Sequence, residues 1–76
     1  YGGVGMRLVD MEEGELYVER MGAFTCKHAL VVFEGIRYTG GSNRARIQRP
    51  DGRVVVVPAS RIVRKASEED KERYRA

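Results

Sequence analysis

Few residues in this chain are placed to do covalent chemistry. Cys26 and His28 are its one cysteine and its one histidine. In an extended segment, residues two apart share a face, which would bring the thiol to the imidazole. Catalysis also needs an orienting third group, an oxyanion site and a cleft. A chain of 76 residues leaves little room for a cleft, so a packed cysteine beside a surface histidine is the plainer expectation. One Cys and one His fall short of the four ligands of a zinc site, and a single cysteine forms no intrachain disulfide. Glu12, Glu13 and Glu15 crowd around Gly14, where a solvated acidic turn is expected rather than a metal or acid/base cluster. Gly2, Gly3 and Gly5 precede no strand–helix unit, and Gly40-Gly41 lacks the Gly-Lys-Ser/Thr ending of a phosphate-binding loop. The sequence therefore predicts no enzyme, no cofactor, no metal and no small-molecule substrate.

The basic residues stand out. Arginines number eleven against three lysines, and the formal charge is +3. That charge is unevenly spread. Residues 1–35 carry a net −3, with acids at Asp10, Glu12, Glu13, Glu15, Glu19 and Glu34. Residues 36–65 carry eight bases (Arg37, Arg44, Arg46, Arg49, Arg53, Arg61, Arg64 and Lys65) against Asp51 alone, a net +7. Such a segment repels itself unless a polyanion or an acidic neighbour compensates it. Arginine also grips phosphate with a planar fork and stacks on bases, which lysine does not. Asn43 and Gln48 are the only side-chain amides, and ten residues are valine; this composition suggests a heat-adapted source.

These residues need strands to position them. Residues 1–13 read as a flexible, glycine-rich N-terminal tail and loop, with a short strand possible over residues 6–9. Residues 15–21 alternate, with Leu16, Val18 and Arg20 on one side and Tyr17, Glu19 and Met21 on the other. Residues 22–27 form a connecting loop with Phe24 turned inward. Residues 28–34 are a Val- and Phe-rich strand. Gly35 reads as a bulge that lets this strand bend and continue through Ile36, Arg37 and Tyr38. Gly40-Gly41-Ser42-Asn43 is a turn. Residues 44–49 alternate again, placing Arg44, Arg46 and Gln48 opposite Ala45, Ile47 and Arg49. Pro50-Asp51-Gly52 is a turn with a preset φ, a side-chain acceptor and a left-handed corner. Residues 53–57 hold four consecutive valines, a pattern expected of a strand covered on both faces. Pro58 ends that strand, and one helical turn and a short closing strand follow. Residues 66–76 predict a polar helix capped by Ser67, with acids in its first turn and only Tyr74 to bury.

The order of strand, long bent strand, strand, tight Pro-Asp-Gly hairpin, strand, and Val57-Pro58-Ala59-Ser60-Arg61-Ile62-Val63 resembles the closing half of SH3-like barrels. There a one-turn 3₁₀ helix near a proline precedes a short last strand. The fold class expected is all-β: a small SH3-like barrel of about five strands over residues 14–65, followed by the C-terminal helix. Within that fold the chain is similar to small basic archaeal ribosomal proteins with SH3-like or KOW-type barrels, and to small DNA-coating chromatin proteins. The first resemblance implies ribosomal RNA and neighbouring ribosomal proteins as partners, the large subunit above all, and a cytoplasmic location on the ribosome. The second implies duplex DNA.

An RNA-contacting surface follows from the residues as well. Arg44 and Arg46 share a strand face about 7 Å apart, near the spacing of successive phosphates. Arg37 and Tyr38 put a charge and a stacking ring beside the slim turn at Gly40, Gly41 and Asn43. Arg49 and Arg53 flank the Pro-Asp-Gly tip, and Arg61, Arg64 and Lys65 line the last strand. The competing reading pairs these arginines with the acids of residues 10–19, leaving a solvated surface. A third reading is a protein–protein adaptor that uses the acidic half. No stretch of about 18 apolar residues predicts a membrane span. The start lacks the charged and apolar regions of a signal peptide.

Overall fold

A computed structural model of the chain describes residues 6–21 and 27–74. The glycine-rich start, Phe24 and the Cys26 half of the Cys26–His28 pair lie outside the described residues. Five antiparallel strands form one sheet: β1 (Leu16–Arg20), β2 (His28–Thr39), β3 (Ser42–Gln48), β4 (Val54–Val57) and β5 (Ile62–Lys65). Their order is β4-β3-β2-β1-β5. A 3₁₀ turn, Ala59–Arg61, joins β4 to β5, and a short helix, α1 (Glu68–Arg73), ends the described chain. The domain is all-β, as expected, with five strands and the expected 3₁₀ turn before the last of them. Its hydrogen-bonded ladder is open between β4 and β5.

β2 serves both halves of the sheet because it bends. The register jumps from Phe33↔Ile47 to Gly35↔Arg46, so Glu34 is an extra residue. Gly35 has φ 140°, a value that a side chain resists. The Glu13 carboxylate lies 3.7 Å from where a Cβ on Gly35 would sit. One extra residue also reverses which side chains face which way from there onward.

The core lies on the face that carries Tyr17, Val31, Phe33 and Ile47, closed by Met11, Ala45, Val57 and Ile62. Tyr17 and Phe33 meet edge to face with ring centroids 6.2 Å apart. The Tyr17 hydroxyl accepts a 2.7 Å hydrogen bond from the Glu12 amide, which folds the acidic loop back over the core. The strand expected over residues 6–9 is instead a 3₁₀ turn, Leu8–Asp10. Met6 and Leu8 pack against the core there, and the Met6 amide donates to the Ile62 carbonyl at 2.7 Å. Met6 and Leu8 fit a two-residue alternation, but Met11 follows Leu8 by three, the spacing of one 3₁₀ turn, and its amide donates to the Leu8 carbonyl at 3.1 Å.

β4 corrects a second expectation. Four valines in a row predicted cover on both faces, yet β4 is an edge strand. Only Val57 is buried, and Val54 is 51% exposed.

Two ion pairs hold the sheet's ends. Glu19 is fully buried on the Tyr17 side of β1. Arg49, two residues past Ile47, places its Nε 3.1 Å and its Nη2 2.8 Å from the two Glu19 oxygens. This fork satisfies a carboxylate that would otherwise be buried without compensation. On the opposite face, Val18 lies across from Arg64. Arg64 forks onto Asp70 at 2.9 and 2.6 Å. Asp70 also accepts from the Ser67 amide and hydroxyl, and the Ser67 hydroxyl accepts from the Asp70 amide, completing a capping box. The helix expected to bury only Tyr74 is thus anchored by a carboxylate that is 3% exposed. Tyr74 adds a ring contact to His28 at 5.8 Å.

Arg49→Ala strands the Glu19 charge. It is expected to lower stability by about 2–3 kcal/mol, read as a fall in the urea midpoint at constant slope; a loss below about 0.5 kcal/mol would show that water reaches Glu19. The Arg64 fork, then the Ser67 amide, hold Asp70 well below the usual carboxylate range. Its stabilising contribution is therefore full above that range and is lost as pH falls through and below it. The resonances of Lys71 and Tyr74 are expected to leave their docked positions on acidification before those of the core, and Asp70→Asn to abolish that separate step.

A candidate nucleic-acid interface on the β2–β3 ribbon

Beyond the Ile36↔Ala45 pair, β2 and β3 continue as a two-stranded ribbon with no neighbouring strand among the described residues. β1 pairs with β2 only as far as Val32, and β4 pairs with β3 only as far as Ala45. The ribbon register is Ile36↔Ala45, Arg37↔Arg44, Tyr38↔Asn43 and Thr39↔Ser42. Its turn is two residues, tighter than the four-residue turn expected. Gly40 and Gly41 both take positive φ, 61° and 84°, the backbone that matches the right-handed twist of a hairpin.

Cross-strand partners share a face, so the register assigns each side chain. Arg37, Arg44 and Arg46 lie on one face, the outer one. Ile36, Tyr38 and Asn43 lie on the other, continuing the core face past the point where the core ends. The bulge makes this so: with strict alternation from Phe33, Arg37 would join Phe33 and not Arg44. Arg46 stands at the root of the ribbon, between Gly35 of β2, which has no side chain, and Val56 of β4.

The eight bases of residues 36–65 divide into two groups. Arg49 is held by Glu19 and Arg64 by Asp70, and each guanidinium's pKa is raised by that hydrogen bond. Lys65 Nζ is 3.4 Å from Glu15, and Arg53 is 3.8 Å from Asp51 with both side chains well exposed. The last two pairs are surface contacts of small energetic worth. Arg37, Arg44, Arg46 and Arg61 have no acidic partner among the described residues. Arg61 stands on the 3₁₀ turn and is exposed. The other three form one cluster, with Arg37 directly opposite Arg44.

The acids expected as intramolecular partners lie elsewhere. Of the acids in residues 10–19, only Glu15 and Glu19 pair with a base among the described residues, taking Lys65 and Arg49. Glu13 sits over Gly35 without pairing to Arg46. The outer face also holds an open groove of about 370 Å³ lined by Leu16, Leu30, Val32 and Tyr74 and bordered by the Arg49–Gly52 turn. No group of three or more His, Cys, Asp or Glu side chains that could hold a metal occurs among the described residues. No helix among them is long and apolar enough to cross a membrane.

Ile36 was not among the residues singled out by sequence. It is 55% exposed, beside Tyr38 at 70%. The signal was the bulge itself: an apolar residue directly after Gly35 changes sides with everything that follows it. Comparison of the chain with protein-family models, with curated proteins and with solved structures found no match.

Two like charges directly opposite in a ladder destabilise it. Arg44→Glu, which converts the Arg37↔Arg44 pair into an attractive one, is expected to stabilise the isolated domain by about 0.5 kcal/mol, seen as a higher melting temperature at low salt and no difference at high salt. An unchanged melting temperature at low salt would mean that the two side chains diverge.

Proposed function

We propose that this domain is a non-catalytic RNA-binding module and a structural component of a ribonucleoprotein. One observation carries the reading: three arginines share the outer face of the β2–β3 ribbon, Arg37 and Arg44 on its unpaired stretch and Arg46 at its root beside β4, with no acid paired to them among the described residues. A protein that needed only solubility gains nothing from setting Arg37 against Arg44; a bound phosphate backbone turns that repulsion into attraction. Guanidinium forks suit phosphate and the exposed planes of unstacked bases. The contacts would be to backbone and shape, with the barrel as a rigid platform.

RNA is favoured over DNA because the cationic surface is a narrow ribbon and not a broad face. The acids of residues 10–15 are exposed on the same small body and would hinder lengthwise coating of a duplex. The ribosome, and its large subunit first, is the assembly that the barrel resemblance suggests. Sedimentation of native extract through a sucrose gradient tests it: comigration with a ribosomal subunit at low salt supports this reading, and comigration with nucleoid DNA replaces it with the chromatin one.

The double variant Arg44→Ala/Arg46→Ala removes two phosphate contacts, one from a half-buried and one from an exposed position. It is expected to keep the fold, to weaken binding to structured RNA about tenfold near physiological salt, and to flatten the log–log salt dependence by about 1.4 for single-stranded contacts. Full affinity with an unchanged slope would move the interface off this face.

A further inference from the structure

The ribbon's second face has a use that its arginines do not explain. Ile36 and Tyr38 stand two apart on one strand and on one face, both more than half exposed at the edge of the core. Strand geometry separates their Cα atoms by about 6.8 Å. A stacked base occupies about 3.4 Å, so a single base plane fits between the phenol ring and the isoleucine. Tyr38 has no ring partner among the described residues. Asn43, its exposed cross-strand neighbour, holds an amide with both a donor and an acceptor beside that slot. The turn beyond is only Gly40-Gly41, with open space where their side chains would be. Nothing at the tip bars a nucleotide from passing between the faces.

Resting on the RNA-binding reading above, we propose that the Ile36–Tyr38 slot takes one unpaired base, so that the ribbon's substrate class is RNA with a bulge, loop or single-stranded segment and not continuous duplex. Phosphates on either side of the extruded base reach Arg37 and Arg44 around the thin edge of the ribbon, with Arg46 at its root. Charge complementarity selects a nucleic acid for this apolar slot: three unpaired cations lie one ribbon thickness away. A regular duplex offers no free base plane, whereas a bulged nucleotide has already lost its stacking. Stacking on an aromatic side chain is sequence-tolerant, since every base has a π-face.

The full chain is titrated with a fluorescently labelled hairpin containing one unpaired adenosine, with the same hairpin fully paired, and with the paired sequence as DNA. The wild type is expected to bind the bulged hairpin at least about tenfold more tightly than the paired one. Tyr38→Ala, at a solvent-exposed position that leaves the core intact, is expected to bring the bulged affinity down to the paired value. Tyr38→Phe is expected to retain the preference, because the ring remains. Arg44→Ala/Arg46→Ala is expected to weaken both RNAs alike and keep their ratio. A bulged-to-paired ratio near one in the wild type, or a ratio unmoved by Tyr38→Ala, overturns the slot while leaving the arginine interface standing. Failure of all three probes to respond to either variant overturns both.

Discussion

The turn of β2 at Gly35 is the constraint on which everything else depends. A twelve-residue strand has to pair with β1 from His28 to Val32 and with β3 from Val32 to Thr39, and a straight strand would carry its second half away from the core. Gly35 resolves this with a backbone angle that few residues tolerate and with one supernumerary residue. The bend closes the body around Phe33 and Ile47. The extra residue reverses the sidedness of the strand, which is why Phe33 faces the core while Arg37 joins Arg44 and Arg46 outside. The fold and the arginine cluster therefore share one cause.

The arginines are not one population. Arg49 and Arg64 act within the structure, each forking onto a buried carboxylate, and each closes a different surface of the sheet. Arg49 seals the end of the core at Glu19; Arg64, the ladder partner of Val18, ties α1 to the sheet through Asp70. Glu19 and Asp70 lose most of their water on folding, so each needs its fork. Arg37, Arg44 and Arg46 are in the opposite condition: hydrated, uncompensated and mutually repelling. Since an arginine always carries its charge, location alone separates the two groups.

Much of the architecture was legible because it is written in short-range terms. The Pro50-Asp51-Gly52 turn, the bulge at Gly35, the end of β4 at Pro58 and the Ser67 cap each follow from residue types within a few positions of one another. What sequence left open is long-range. Glu19 and Arg49 are thirty residues apart, and nothing in local spacing marks them as partners. Arg49 thus reads as a surface residue until β1 and β3 are laid on the same sheet. The four valines of β4 mislead because a continuous apolar run describes residue type and not position in the sheet, and this one lies at the border. The cluster at Arg44 and Arg46 was visible from alternation alone. The addition of Arg37 to it, and the transfer of Tyr38 to the far side, required the register across the bulge.

That border position has its own consequence. Among the described residues β4 is an edge strand, so alternate residues along Val54–Val57 turn their amides and carbonyls outward, backed by strongly β-forming side chains, which is how one molecule templates its neighbour into a fibre. Two flanking residues stand guard: Arg53, charged and exposed at the strand's entrance, and Pro58 at its exit, which has no amide to donate. Colloidal behaviour in this domain is thus governed by the residues just outside the strand, and the valines are tolerable because the gatekeepers keep a foreign strand from extending its pairing past them.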